Sequence, residues 1–557
     1  MKKYTLYLVA ALTLSGCDFL EFDESSGKTQ DEAYSYFENV KALGNAGYRS
    51  LPIDWGTIGG AFRESATDNA VYRWNNNAVY DIYNNVWSPL NLIDNQWGNY
   101  YSVIYDINSF LRDYSEEKLE RYKWDPNYED NIRQARMSLK ENTVLRALYY
   151  FELVKRYGDI PLVTEPLDLA MVNNLKETPS EQILNFVAEQ CKLVADDLPL
   201  SHNTFYGETG RVTKGAALAI RARALLYAAS PLFIGDKDPV EAYRKAAEAA
   251  YEVIAMDYYK LEGLDKDPLF GKLLGNEVLK SKQLIFETRQ TENTILETNN
   301  LPIGFDNGTN TGNTPTQNLV DAFEMKDGSM FDWNNSEHVA NMYYDKDGNT
   351  TRDPRLYLTV LCNGSSFQGK TIETYEGGTY GIPVTGATQT GYYVRKFLNE
   401  NVSLDPTKPN KQSHHFPTYR YAEVLLNYAE AMNECYGPDY TDAAFPLSAR
   451  DALNQVRKSA GMPDVIVSDK NQFADKLKNE RRVELAFEDH RFWDIRRWKI
   501  GDVVEKIYGV HIKKNGNQFK YVKEVVQSRI WEDKMYLYPI PQKEIYVNDN
   551  LSQNPGW

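Results

Sequence analysis

The chain has 557 residues, enough for a large buried core and, by length alone, for three or four domains. Its net charge is −16, falling to −18 once Lys2 and Lys3 leave with a cleaved leader, which argues against nucleic acid as a partner. Forty tyrosines and ten tryptophans supply rings with an apolar body and a polar handle, a composition suited to a wet binding face as well as to an aromatic core.

Lys2 and Lys3 precede an apolar stretch, Tyr4 to Leu14, that reads as a secretory signal peptide over residues 1–16. It is too short to cross a bilayer, which takes about 20 residues, and no later segment is long and apolar enough to do so. Leu14-Ser15-Gly16-Cys17 resembles a bacterial lipobox, which makes Cys17 the acylated first residue of the mature chain. The alternative is ordinary cleavage near Gly16 with a free thiol. Acyl chains anchor firmly, since burial contributes about 0.8 kcal/mol per CH2. The acidic, then small and polar, residues after Cys17 make 17–30 a lipidated N-terminus and tether.

A helical region is expected over 31–283. Gln134 to Tyr157 carries apolar residues among charges and stops at Gly158, with Pro161 just beyond. Similar stretches run from Ser180 to Leu198, Lys214 to Ala229 and Val240 to Ile254. Lys214 to Tyr227 spaces small residues three and four apart, so a second helix can approach closely, and Tyr243 to Ile254 is its expected mate. Pairs of this kind return at Arg420 to Glu434 and Leu447 to Ala460, resembling tetratricopeptide units without a strict 34-residue period. Between them, over 284–419, the texture turns to Gly, Asn, Thr and aromatic residues. Short β-rich runs occur there at Leu356 to Leu361 and Tyr392 to Val394, so this is a loop-rich, mixed α/β insertion, the place where a binding surface is expected. Helices resume near Arg420 and are expected to end before Tyr536; 420–557 forms the C-terminal region. The predicted fold is mainly α, with 31–557 as one compact unit.

Several motifs are better read as accidents. Gly364 to Thr371 matches the P-loop pattern, yet the next stretch, Ile372 to Gly378, is a poor helix former and offers no aligned N–H groups to a phosphate. Asp345 to Asn349 looks like part of a calcium loop, but the twelfth position is Leu356 where a bidentate Glu is required; Asp347-Gly348 reads as a tight turn, and a structural calcium of another kind stays open. Six scattered histidines form no metal motif, so no cofactor is expected. Cys191, Cys362 and Cys435 are odd in number and lack Cys-x-x-Cys spacing, which reads as free thiols, a single disulfide remaining an alternative. A glycosidase needs only two suitably spaced carboxylates. Those that cluster lie among arginines, Glu488, Arg491, Asp494 and Arg497 falling at three-residue spacing, and carboxylates held by Arg keep a low pKa unsuited to a general acid.

Asn479 to Trp498, with its Asn479-Glu480-Arg481-Arg482 start and Arg491-Phe492-Trp493-Asp494 centre, closely resembles the C-terminal signature of the SusD/RagB family. Arg420 to Ala431, Asp353-Pro354-Arg355-Leu356, Leu145-Arg146-Ala147, Tyr157-Gly158-Asp159-Ile160-Pro161, Tyr538-Pro539-Ile540-Pro541 and Gln553-Asn554-Pro555-Gly556 are similar to other parts of it. The resemblance, from Cys17 to Trp557, implies a lipid-anchored, surface-exposed outer-membrane protein with tetratricopeptide-like helix pairs and a variable ligand-binding part. It also implies partnership with a SusC-like TonB-dependent transporter.

In starch-binding relatives an aromatic pair and an Asn after Thr-Asp form part of a sugar platform. Here Thr67-Asp68 precedes Tyr72-Arg73-Trp74-Asn75-Asn76-Asn77, so the resemblance carries Tyr72, Trp74 and Asn77 onto the platform, with Tyr72 standing where those relatives have Trp. A flat ring stacks on a pyranose while amides and guanidinium groups bond its hydroxyls. The alternative is that Tyr72 and Trp74 pack into the scaffold. Arg63 and Asp68 are further polar candidates, and Phe305, Asn307 and Trp333 candidates for an opposing wall. The expected function is capture of oligosaccharides for the transporter without catalysis; peptide capture, as in the RagB branch, and a surface glycosidase are the alternatives.

Overall fold

The computed structural model describes residues 29–202, 209–264 and 275–557. Cys17, the leader and nearly all of the tether lie outside the described residues.

Helices α1 (Phe37–Asn45), α2 (Trp97–Asp113), α3 (Tyr128–Tyr157), α4 (Ser180–Ala195), α5 (Lys214–Ala229), α6 (Pro239–Ile254), α7 (Tyr421–Tyr436), α8 (Ala449–Ser459), α9 (Lys470–Glu484) and α10 (Arg491–Arg497) make the scaffold. From α3 each packs on the next through α8, and α9 also lies on α7. The stops follow local chemistry: α3 ends where Gly158 turns to φ 72° and α7 where Gly437 turns to φ 87°, conformations that L-residues avoid. Thr213 caps α5 and Ser448 caps α8 through their hydroxyls. α5 is apolar nearly all round because neighbours cover it on every side, and its close pairing with α6 is the one its small residues predict. Burying each Leu or Ile there is worth about 1.5–3 kcal/mol.

The insertion is built of small two-stranded antiparallel sheets rather than one large one. β1 (Ala70–Tyr72) pairs with β3 (Asn313–Pro315), β2 (Leu284–Asn293) with β8 (Gln412–Arg420), and β4 (Val360–Leu361) with β7 (Tyr393–Val394). The expected strand at Leu356–Leu361 is therefore half wrong, since Leu356–Thr359 forms a helical turn before β4 begins. β5 (Ser366–Phe367) and β6 (Lys370–Thr371) turn the P-loop-like stretch into a hairpin with no helix behind it. Asp345 Oδ1 accepts the N–H groups of Asp347 and Asn349, which makes that segment a turn, with Gly348 at φ 83°. A further hairpin, β9 (Lys506–Asn515) with β10 (Gln518–Ser528), interrupts the C-terminal region where the sequence predicts only helix, and a short helix at Gln542–Val547 comes after Tyr536.

Among the described residues two large apolar cores form, one among the helices and one under the insertion, with a small third cluster around Phe110 and Leu119. α9 joins them: Phe473 and Leu477 face the helical core, while Val483, with Ala486 and Phe487 just beyond the helix, enters the other. Cys191, Cys362 and Cys435 are unpaired among the described residues, the first two buried and Cys435 half-buried.

Candidate ligand-binding surface

Residues 61–72 run between the two cores, and every one of them is buried. Ala61, Ala66 and Tyr72 pack into the helical core, Phe62 and Ala70 into the other. This placement removes three of the expected ligand contacts. Arg63 is enclosed by carboxylates, its Nε 2.8 Å from Asp489 and its Nη1 3.1 Å from Asp94. Asp68 receives Arg491 at 2.8 Å and Arg482 at 2.9 Å. Burial alone would raise the Asp68 pKa; the two guanidinium groups reverse that and leave it below the ordinary range. Tyr72 is only 5% exposed. A Cβ on Gly60 would stand 2.7 Å from its hydroxyl and one on Gly312 3.0 Å from its ring, so both glycines close directly over it. Tyr72 is therefore a floor beneath the surface rather than part of its face.

Trp74 is placed differently. The Arg73 N–H donates to Gly312 O at 2.7 Å, which continues the β1–β3 ladder by one bond and then releases the chain to the surface. The Trp74 indole N–H donates to Asn310 Oδ1, and Asn310 in turn donates to Asn299 Oδ1 at 3.2 Å. The Arg73 guanidinium sits 5.3 Å from the Trp74 ring centroid and its Nε donates to Ala387 O. Gly386, at φ 85°, passes so close that a Cβ there would lie 3.3 Å from the indole. The ring is thus held at its edge by Asn310 and the 381–387 loop, with Arg73 over one face; it is half-buried against the helical core, with Asn75 and Asn76 exposed beside it in sequence.

Asn77 is committed elsewhere: its Oδ1 caps the following turn by accepting Val79 N–H at 2.8 Å and its Nδ2 donates to Gly59 O at 2.8 Å. Phe305 is fully buried against Phe367 and Tyr380, with ring centroids 5.6 and 5.8 Å away, so it is core and not a wall. Asn307 is exposed at φ 63° in the same turn. Trp333 is half-buried, donating to Asp321 at 3.1 Å, and its neighbour is Lys523 of β10, whose Nζ is 5.9 Å from the ring centroid; no contact brings it to Trp74. Sequence reasoning missed Arg73, Asn310 and the exposed Ile382 and Val384 of the 381–387 loop. Arg73 could have been found by its position beside Trp74; the others come from more than 200 residues away and carry no local signal.

The arginine-rich signature does hold its carboxylates, but not in the expected helical ladder. α10 begins only at Arg491, so Glu488 pairs with Arg420 and Lys396, and Arg491 with Asp68; of the three expected pairs only Asp494–Arg497 forms, at 2.8 Å. Burial pushes Glu484 up, but Arg420 and Arg355 hold it down to about 2. Among the described residues no group of three or more His, Cys, Asp or Glu is arranged to hold a metal ion.

An array of paired helices carries a loop-rich insertion behind a lipobox-like sequence. The chain belongs to the SusD family, whose profile matches residues 278–557. A second profile, described as starch-binding and associating with the outer membrane, matches residues 22–226, and a prokaryotic membrane lipoprotein lipid attachment site matches residues 1–17, ending on Cys17. The protein is lipid-anchored at the outer membrane. The SusD-like protein P2 of Formosa agariphila is 22% identical over all of both chains. A SusD-like protein of Bacteroides fragilis is 26% identical with a TM-score of 0.78, covering 96% of this chain and 99% of its own. A SusD-like carbohydrate binding protein of the same species is 24% identical with a TM-score of 0.74, covering 93% of this chain and 100% of its own, and shares the fold.

Proposed function

We propose that this lipoprotein binds glycan chains on the surface around Trp74, passes oligosaccharides to a SusC-like TonB-dependent transporter, and catalyses no reaction. The observation that carries this reading is the half-buried Trp74 ring, fixed by Asn310 and Arg73 where a buried strand reaches the surface. A ring held that rigidly stacks on a sugar without losing further side-chain freedom, and neighbouring amides and guanidinium N–H groups can replace the water around its hydroxyls. The carbohydrate-binding neighbour and the starch-binding profile support the same ligand class. Against catalysis stands the placement of the clustered carboxylates, buried and neutralised by arginine, where neither substrate nor water reaches them. Affinity is modest by design, because sugars exchange water bonds for protein bonds at small net gain and must be released again.

Calorimetry of the intact protein against panels of neutral and acidic glycans and of peptides tests the reading. Glycan binding that Trp74→Ala weakens by at least about tenfold is the expected result. Binding of peptides alone, or release of reducing ends from a bound polysaccharide, overturns it. Co-purification of a TonB-dependent barrel with the tagged lipoprotein tests the partnership.

A further inference from the structure

The β9–β10 hairpin carries charge that its own fold does not use. Gly516 at φ 60° sets the two-residue turn, and the strand alternation turns Val510 and Ile512 into the core under the insertion. On the opposite face Lys513 stands directly across from Lys520, both exposed. Like charges directly opposite on an antiparallel pair are destabilising, and neither lysine makes an ion pair with a described carboxylate. The hairpin holds five lysines and one glutamate in a chain of net charge −16. That glutamate, Glu524, lies four residues from Lys520, about 13 Å along a strand. Of the other carboxylates around the hairpin, Glu376 is occupied by His511 at 3.0 Å, Asp321 by Lys523 at 2.7 Å, and Glu373, which lies near Lys514, accepts from the Tyr375 and Thr379 hydroxyls.

The same tip presents rings. Phe519 is 37% exposed and lies 5.6 Å from the centroid of Tyr375, over which the Lys514 ammonium sits at 4.7 Å. From Tyr375 one loop leads back to Trp74: Gly381 closes on the Tyr375 backbone and Gly386 on the Trp74 ring, with Ile382 and Val384 exposed between them. The 375–387 loop thus links Trp74 to a tip bearing Lys513, Lys514 and Lys520, with Ile382 and Val384 exposed along it.

We propose that the hairpin tip is an anion subsite of the glycan surface, so that the ligand is an acidic polysaccharide bearing carboxylate or sulfate groups. This rests on the reading of Trp74 as a glycan contact. The rings carry the sugar and the lysines take its charge, an anion removing the repulsion between Lys513 and Lys520. The loop that joins the tip to Trp74 favours a glycan over a lipid headgroup as the bearer of that charge.

The test is affinity electrophoresis and calorimetry of the full protein, wild type, K513Q/K520Q and W74A. The probes are polygalacturonate, alginate, chondroitin sulfate and carrageenan, with starch, arabinoxylan and galactomannan as neutral probes and phosphatidylglycerol vesicles as the lipid probe. An acidic glycan that binds wild type in a salt-sensitive way, loses about tenfold with K513Q/K520Q and also weakens with W74A supports the inference. Binding of neutral glycans only, or acidic glycan binding that K513Q/K520Q leaves unchanged, overturns it and leaves the glycan reading standing. Absence of binding to every glycan overturns both. Lysine-dependent binding to the vesicles, with none to the acidic glycans, reassigns the tip to a membrane surface.

Discussion

The seam between the two cores and the surface around Trp74 are made of similar residue types and use them in opposite ways. At the seam Arg355 meets Asp353, Glu480 and Glu484, Arg420 meets Glu484 and Glu488, and Arg63 meets Asp94 and Asp489, none of these side chains being more than 9% exposed. Each charge there has its partner inside the protein. At the surface Arg73, Asn75, Asn76, Lys513 and Lys520 keep hydrogen-bonding capacity turned outward. Polar side chains hold this protein together where they are sealed; under the proposed function, those the chain leaves partly unsatisfied serve a ligand.

The comparison can be broken most severely at the seam. Replacing Arg420 with Met leaves Glu484 and Glu488 buried without their main counter-charge, and should cost about 3–5 kcal/mol in urea unfolding. Glu64 gives the next effect. It is fully buried, and burial raises its carboxyl to about 7 although Asn69 and the Phe487 N–H bond to it. With the folded pKa above the unfolded value of about 4.5, stability is full below pH 4.5, declines as pH rises towards 7, and is level above that. Glu64→Gln should remove this decline and raise stability at pH 8 by about 3 kcal/mol, read as the difference between melts at pH 4.5 and pH 8. Asn77→Ala should lower stability by about 1 kcal/mol through the lost cap while leaving glycan affinity as it was, whereas Trp74→Ala should lower glycan affinity. The smallest change belongs to the hairpin, where K513Q/K520Q should stabilise the protein by a few tenths of a kcal/mol, an effect that shrinks as salt is added.

The helices were legible because their signals are local. Gly158 and Pro161 end α3 within four residues, and the Ala spacing of α5 announces a close partner. Arg63 and Asp68 looked like ligand contacts because nothing near them in sequence reveals Asp489 or Arg491, more than 400 residues further on. Trp74 was legible through its family motif, but the Asn310 that fixes it was not. The β9–β10 hairpin was written locally after all: the turn pair Gly516-Asn517 stands between two β-rich runs, and the strength of the neighbouring helical signature obscured it.

The bond between Arg63 and Asp489 closes a loop of 426 residues, and Arg529 donates to the carbonyls of Ser65 and Ala70 from further along still. The strand that presents Trp74, paired with β3 from mid-chain, is therefore fully braced only after almost the whole chain has emerged on the far side of the inner membrane. Contacts so distant in sequence form late, so a chain cut short before Asp489 should display its helices and no working surface. Capture would then be an all-or-nothing property of the finished polypeptide.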